Sequence, residues 1–265
     1  MQTTEPFVIV GMPRTGTHYL EELLNAHPNV SSNGELLNPY DPIWPDRARL
    51  LRSDRELLEL AYLHHPTMTG NPHLTHVGCK INQPQFNERP GFFETLAAWP
   101  RLKVLLVIRR NTLESLRSLV QARQSGQWLK YGPDNDDSRP PPQVILKIED
   151  CEAYFKAADD FHHLILSSFS PSSVLTIDYE TLRDDPPPSL KAVSAFLGIS
   201  NHPCSENTSL RRQEVRSLQQ TVLNFEELRR HFEGSRYDSF FSKLKGADRP
   251  AKHQDCPDSF QLSSF

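Results

Sequence analysis

The reading turns on Phe7-Val8-Ile9-Val10-Gly11-Met12-Pro13-Arg14-Thr15-Gly16-Thr17-His18, near the start of a 265-residue chain. Phe7 to Val10 is a short continuous apolar run, the pattern of a strand buried on both faces, as in parallel sheets. It stops at Gly11, and beyond the loop Leu20, Leu23, Leu24 and His27 recur at helical spacing up to Pro28. A glycine-bounded loop between a buried strand and a helix aims backbone N–H groups, and the helix dipole with them, at an anion. The frame is that of a P-loop, G-x-x-x-x-G, after which Lys and then Ser or Thr should follow. Here Thr17 and His18 follow instead, and the positive charge has moved inside the loop, to Arg14.

The same strand–helix rhythm continues along the chain. Lys103 to Ile108 reads as a second buried strand, ending in Arg109-Arg110. Asn111 with Glu114 three residues on predicts a capping box, and Leu113, Leu116, Leu119 and Val120 share one face of the helix that follows. A third strand, Ser173 to Ile177, precedes a helix opened by Asp184-Asp185-Pro186-Pro187-Pro188, carried by Leu190, Val193, Phe196 and Leu197 and closed by Gly198. His76 to Ile81 reads as a weaker strand. Short apolar strands alternating with amphipathic helices predict an α/β fold, three layers in α/β/α order around a central parallel sheet. Residues 1–245 are expected to form one domain. The polar, Pro-rich stretch from Tyr131 to Gln143 reads as a mobile loop, and residues 246–265 as a flexible tail.

Composition narrows the function classes. Net charge is −4, with no local basic stripe, which argues against nucleic-acid binding. Four widely spaced cysteines (Cys79, Cys151, Cys204, Cys256) without a CxxC pair read as reduced thiols, neither a disulfide framework nor a zinc site. No apolar run approaches the ~20 residues of a membrane span, and the strand at Phe7 comes too early for a secretory leader. A cytoplasmic protein is expected. The histidines (His64-His65, His73, His76, His162-His163) lack a convincing metal-ligand set, and no G-x-S-x-G elbow is present. Nothing in the sequence fixes the oligomeric state, and a homodimer is compatible with it.

Pro13-Arg14-Thr15-Gly16-Thr17 resembles the PxSGTT-type loop of sulfotransferases that use 3′-phosphoadenosine 5′-phosphosulfate (PAPS). In that family the loop holds the 5′-phosphosulfate without a metal. Arg14 stands where cytosolic members carry Lys and bacterial carbohydrate sulfotransferases commonly carry Arg. His18 replaces a second Thr, removing one hydroxyl contact to the phosphate, and Tyr19 takes the place of an aromatic that stacks on adenine. A second stretch, Arg110-Asn111-Thr112-Leu113-Glu114-Ser115-Leu116-Arg117-Ser118, resembles the family's 3′-phosphate site, where a strand-end Arg and a Ser eight residues later grip the phosphate. Charge-assisted bonds from a guanidinium suit that dianion; taken alone, Arg110 reads equally as half of a surface ion pair. Asp178 to Pro186 looks like the family's YEDLxxDP segment, and Ser217 to Glu226 like the region after its late basic loop. That resemblance makes Arg211 and Arg212 candidates for a lid over the cofactor, with plain solvated arginines as the alternative.

The resemblance also supplies reaction roles. Glu35 matches a Glu that serves as base in bacterial trehalose- and Nod-factor-type enzymes. Lys80, in Gly78-Cys79-Lys80-Ile81-Asn82, falls where cytosolic members carry KTH; their His base would be Asn82 here, which cannot take a proton. The expectation is an enzyme moving a sulfuryl group from PAPS to a hydroxyl or amine of a small metabolite or saccharide. Glu35 acts as base, Lys80 and Arg14 as charge stabilisers, adenosine 3′,5′-bisphosphate is the second product, and no metal takes part. A magnesium-dependent P-loop kinase and a non-catalytic nucleotide sensor are the alternatives. Against the kinase stands Thr17 in the Lys position.

Overall fold

The computed structural model describes residues 4–63, 73–132, 140–200, 208 and 210–242. Five strands, β1 (Glu5–Gly11), β2 (Val30–Glu35), β3 (His76–Asn82), β4 (Lys103–Ile108) and β5 (Val174–Asp178), form one parallel sheet in the order β2-β3-β1-β4-β5. The helices are α1 (Thr17–Asn25), α2 (Asp54–Tyr62), α3 (Gln83–Glu88), α4 (Phe92–Ala97), α5 (Thr112–Ser125), α6 (Ile148–Ser168), α7 (Tyr179–Asp184), α8 (Pro186–Leu197), α9 (Leu218–Thr221) and α10 (Phe225–Phe232).

The period-two geometry of a strand sorts the apolar run of β1 onto both faces of the sheet. Phe7 and Ile9 pack with Leu20, Leu23 and Leu24 of α1 and with Leu190 and Val193 of α8. Val8 and Val10 pack on the other side with Leu57 and Leu58 of α2, Leu96 of α4 and Phe161 of α6. In β4, Leu105 and Val107 join the first set, and Val104 and Leu106 the second. The three expected layers follow directly. A further cluster joins Leu113 and Leu116 of α5, Phe155 of α6, and Phe225, Leu228 and Phe232 of α10.

The sequence reading missed β2. Its residues are Val-Ser-Ser-Asn-Gly-Glu, without apolar alternation, yet all but Glu35 are buried. Tertiary partners make that tolerable: Asn25 Oδ1 accepts from the Ser32 N–H at 2.6 Å, the Trp44 indole donates to the Asn33 carbonyl at 2.6 Å, and Glu21 accepts from the Ser32 hydroxyl. The box expected at α5 is half made. Asn111 caps the Glu114 N–H at 3.2 Å, whereas the Glu114 carboxylate turns away to Arg109. The described flanks of the expected loop at Tyr131 to Gln143 are part-exposed but tethered: Tyr131 bridges to Leu210, and Gln121 donates to the Pro142 carbonyl at 2.8 Å. Residues 133–139 and the expected tail, 246–265, lie outside the described residues.

β1 connects toward β2 on one side and β4 toward β5 on the other, so the strand order reverses between β1 and β4. Ligand crevices of open α/β sheets form at that switch, beyond the carboxyl ends of the strands.

Candidate active site

At that crevice the chain turns sharply from β1 into α1. Gly16, at φ 92°, caps α1 in the left-handed region, and Arg14 enters the same region at φ 68°. A Cβ on Gly16 would lie 2.2 Å from the Tyr179 ring, so glycine is required there for both conformation and space. Thr15 is buried, its hydroxyl donating to the Met12 carbonyl at 2.8 Å, which braces the loop from within. α1 has no acidic residue in its first turn, leaving its N-terminal N–H groups suited to an anion.

The loop floors a cavity of about 810 Å³. Of the residues singled out in the sequence, Pro13, Arg14, Gly16, Thr17, His18, Tyr19, Glu35, Lys80, Ser118, Arg211 and Arg212 line it. The two sequence motifs meet directly: Arg14 Nε donates to Ser118 Oγ at 3.0 Å across 104 residues of chain. The same guanidinium donates to the Trp128 carbonyl at 2.6 Å and to Gln213. Burial, and then the neighbouring Arg109, hold the Arg14 pKa below its usual value. Arg110 is placed differently. Its side chain is 61% exposed, outside the cavity lining, with Nε 3.1 Å from Asp178 and 3.7 Å from Glu180. Arg211 donates from its backbone N–H to Lys130 and from its side chain to the Thr208 carbonyl at 2.8 Å; Arg212 lies 3.8 Å from Glu114.

Glu35 ends β2 opposite Lys80 in the β2–β3 register, just past an irregularity between Ser32 and Glu35. Lys80 Nζ is 3.8 Å from Glu35 Oε1, donates to Glu21 Oε2 at 2.8 Å, and lies 3.0 Å from His18 Nδ1. The other ring nitrogen, His18 Nε2, is 2.8 Å from the Tyr131 hydroxyl. Burial alone would raise the Glu21 pKa. The Lys80 charge, with hydrogen bonds from His18, Lys80 and Ser32, outweighs it and holds the carboxyl at about 2. Around Glu35, Asn82 Nδ2 and Asn38 Nδ2 each donate at 3.0 Å, to separate oxygens. The two strand ends therefore present a carboxylate and an ammonium side by side above the anion loop.

Comparison with known proteins gives the family of the chain that carries this site. The sulfotransferase domain family matches residues 4–254. The chain belongs to the sulfotransferase family. It is 58% identical over 250 residues to nodulation protein H of Rhizobium tropici, covering 94% of this chain and 98% of that one. It is 60% identical over 237 residues to nodulation protein H of Rhizobium meliloti strain 1021, covering 89% and 95%. In fold it resembles a sulfotransferase of Alicyclobacillus acidocaldarius, with a TM-score of 0.51 at 17% identity over 87% of this chain and 92% of that one. The sulfotransferase domain from the curacin biosynthetic pathway gives 0.50 at 15%, over 94% and 93%.

Several residues of the candidate site in this sulfotransferase escaped the sequence reading. Arg109 is buried, donates to the Arg14 carbonyl at 3.2 Å and lies 4.9 Å from the Tyr179 ring. Arg117 is buried and donates to the Thr221 hydroxyl at 3.2 Å. A signal existed for the second: Glu114, Arg117 and Gln121 recur at i, i+3 and i+7, a polar stripe that a helix must turn toward polar partners. Glu21 had none, since a Glu between Leu20 and Leu23 reads as solvent-facing.

Proposed function

We propose that this sulfotransferase moves the sulfuryl group from PAPS to a hydroxyl of a saccharide acceptor, with Glu35 as general base and no metal. The observation that carries the reading is the placement of Glu35 and Lys80, 3.8 Å apart on neighbouring strand ends over the 11–18 loop. The described residues fit the donor's charge. Arg14, Lys80, Arg109, Arg117 and Arg123 line one cavity, and loop N–H groups with the start of α1 face it. In this reading the acceptor oxygen attacks sulfur while its proton passes to Glu35. The sulfur–oxygen bond to the 5′-phosphate breaks, and the electron pair departs on the phosphate oxygen. Lys80, Arg14 and the loop N–H groups stabilise the charge that develops on the sulfuryl and bridging oxygens. High identity to proteins named nodulation protein H, together with a Glu that matches the Nod-factor-type base, favours an oligosaccharide acceptor over a small metabolite.

Turnover with labelled PAPS, offering oligosaccharides of the Nod-factor type beside small polar metabolites, tests the reading. Sulfation of the oligosaccharide in the presence of EDTA is the expected result. Activity with ATP that needs magnesium would favour a kinase instead, because phosphoryl transfer from a triphosphate needs a divalent ion across its phosphates. Glu35→Gln should lower kcat by ~10²–10⁴-fold while affinity for adenosine 3′,5′-bisphosphate barely changes. Near-normal turnover of that variant on a hydroxyl acceptor would remove Glu35 from the mechanism.

A further inference from the structure

Glu21 is only 3% exposed, on the face of α1 that packs against the sheet. A buried carboxylate is tolerated only when charge and hydrogen bonds meet it from several sides, and here the two oxygens divide that work. Oε1 accepts from the Ser32 hydroxyl at 2.8 Å and the Gly34 N–H at 2.9 Å, both on β2. Oε2 accepts from Lys80 Nζ at 2.8 Å and lies 3.4 Å from His18 Nδ1. Gly34, at φ 61°, sits in the irregular stretch just before Glu35, and a Cβ there would meet both Asp41 carboxylate oxygens at 2.8 Å. The β2 anchor thus fixes the carboxylate's rotation and leaves one oxygen aimed at the ammonium.

We propose that Glu21 is the positioning residue for Lys80: anchored to β2 through Oε1, it holds the Lys80 ammonium through Oε2 beside Glu35 at the cavity edge. Although Glu21 borders the cavity, it acts through Lys80. A four-carbon stem ending in three donors has many rotamers, and a neutral cavity wall would let the ammonium follow whatever anion arrives. A fixed carboxylate sets its resting place before substrate binds, which is the preorganisation that makes charge stabilisation effective at the moment of transfer. The carboxyl remains ionised at any working pH, since its partners hold it at about 2.

The proposal rests on the sulfuryl-transfer reading, and a double-mutant cycle separates the two. Glu21→Gln, Lys80→Met and the pair are compared in steady-state turnover with PAPS and the accepted oligosaccharide, each with its melting temperature. Expected are a fall in kcat of about tenfold or more for Glu21→Gln with KM for PAPS within about threefold, and a double variant no slower than Lys80→Met. Normal turnover of Lys80→Met would overturn the role given to Lys80 and the proposal with it. A slow Lys80→Met beside a normal Glu21→Gln, or losses that multiply in the double variant, would overturn the proposal alone. Should Glu21→Gln fail to fold, the double variant carries the test. Folded and equal to Lys80→Met, it supports the proposal. Folded and slower, or unfolded as well, it makes Glu21 a stability residue and overturns it.

Discussion

Asn82 stands where the family resemblance would put a histidine base, and here its amide donates to the Glu35 carboxylate at 3.0 Å while its backbone N–H is held by Gln85. Under the proposed function that contact aims the base, and Asn82 itself takes no proton. Losing a hydrogen bond to a charged group costs about 1.5–3 kcal/mol. Asn82→Ala is therefore expected to lower kcat by about tenfold through a misaimed Glu35, with donor affinity little changed; steady-state kinetics on one acceptor checks it. Arg110 poses a different question, because the structure pairs it with Asp178 and the family resemblance assigns it to the 3′-phosphate. An exposed ion pair is worth about 0–1 kcal/mol, less than the 1.5–3 kcal/mol of roughly one charge-assisted phosphate contact, so the pair can yield to a phosphate. Arg110→Ala should then weaken adenosine 3′,5′-bisphosphate about 10- to 150-fold and 5′-AMP hardly at all, as read by calorimetry. Equal weakening of both nucleotides would leave Arg110 as the surface pair it makes here.

Among the elements, β1 and the loop after it depend on two glycines, one within the loop and one on the neighbouring β3, for separate reasons. Gly16 needs its positive φ and lies against Tyr179, whereas Gly78, in the middle of β3, leaves room for the Phe7 ring, which a Cβ would approach to 2.4 Å. Gly78→Ala overpacks the layer between sheet and α1, at a cost of about 1–3 kcal/mol. Both Gly16→Ala and Gly78→Ala should lower the melting temperature, but only the first should also weaken adenosine 3′,5′-bisphosphate, because only it distorts the anion loop. A binding loss in Gly78→Ala equal to that in Gly16→Ala would break this division. β2 shows the reverse case, an element stabilised by polar neighbours. Beyond it, buried Arg49 donates to the Leu36 and Trp44 carbonyls at 3.0 and 2.9 Å, tying down the loop that carries Asn38 and Asp41 toward Glu35.

Through the fold as a unit, buried and half-buried carboxylates link stability to pH. Glu21 is held at about 2. Glu114 and Glu214 are also lowered: burial opposes the shift in each, and Arg109 for the first and Arg216 for the second overcome it. A carboxyl whose folded pKa lies below its unfolded value contributes stability that is complete above the unfolded pKa. That stability is lost as pH falls through the folded one. The urea midpoint should therefore fall as pH drops from about 4.5 toward 2, and Glu21→Gln should flatten that fall. A wild-type midpoint that is level over this window would contradict the pairing. Arg14 joins distant parts of the chain through its bonds to Ser118, Trp128 and Gln213.

Apolar periodicity and glycine act over a few neighbours, which made the strand–loop–helix at residues 7–24, the buried strand at 103–108 and the helix ended by Gly198 legible before any folding was known. The glycine-bounded loop stood out by its own residues, whereas Glu35, Lys80 and Ser118 were singled out by the resemblance to the sulfotransferase family. Long-range packing was needed to make Val30 to Glu35 a strand, to bury Glu21, and to set Arg109 and Arg117 in the cavity wall while Arg110 faces Asp178. Those outcomes depend on partners some tens of residues away. Glu21 meets Lys80 across 59 residues and Arg14 meets Ser118 across 104. A polar side chain carries no mark of burial until the group that satisfies it has been folded against it.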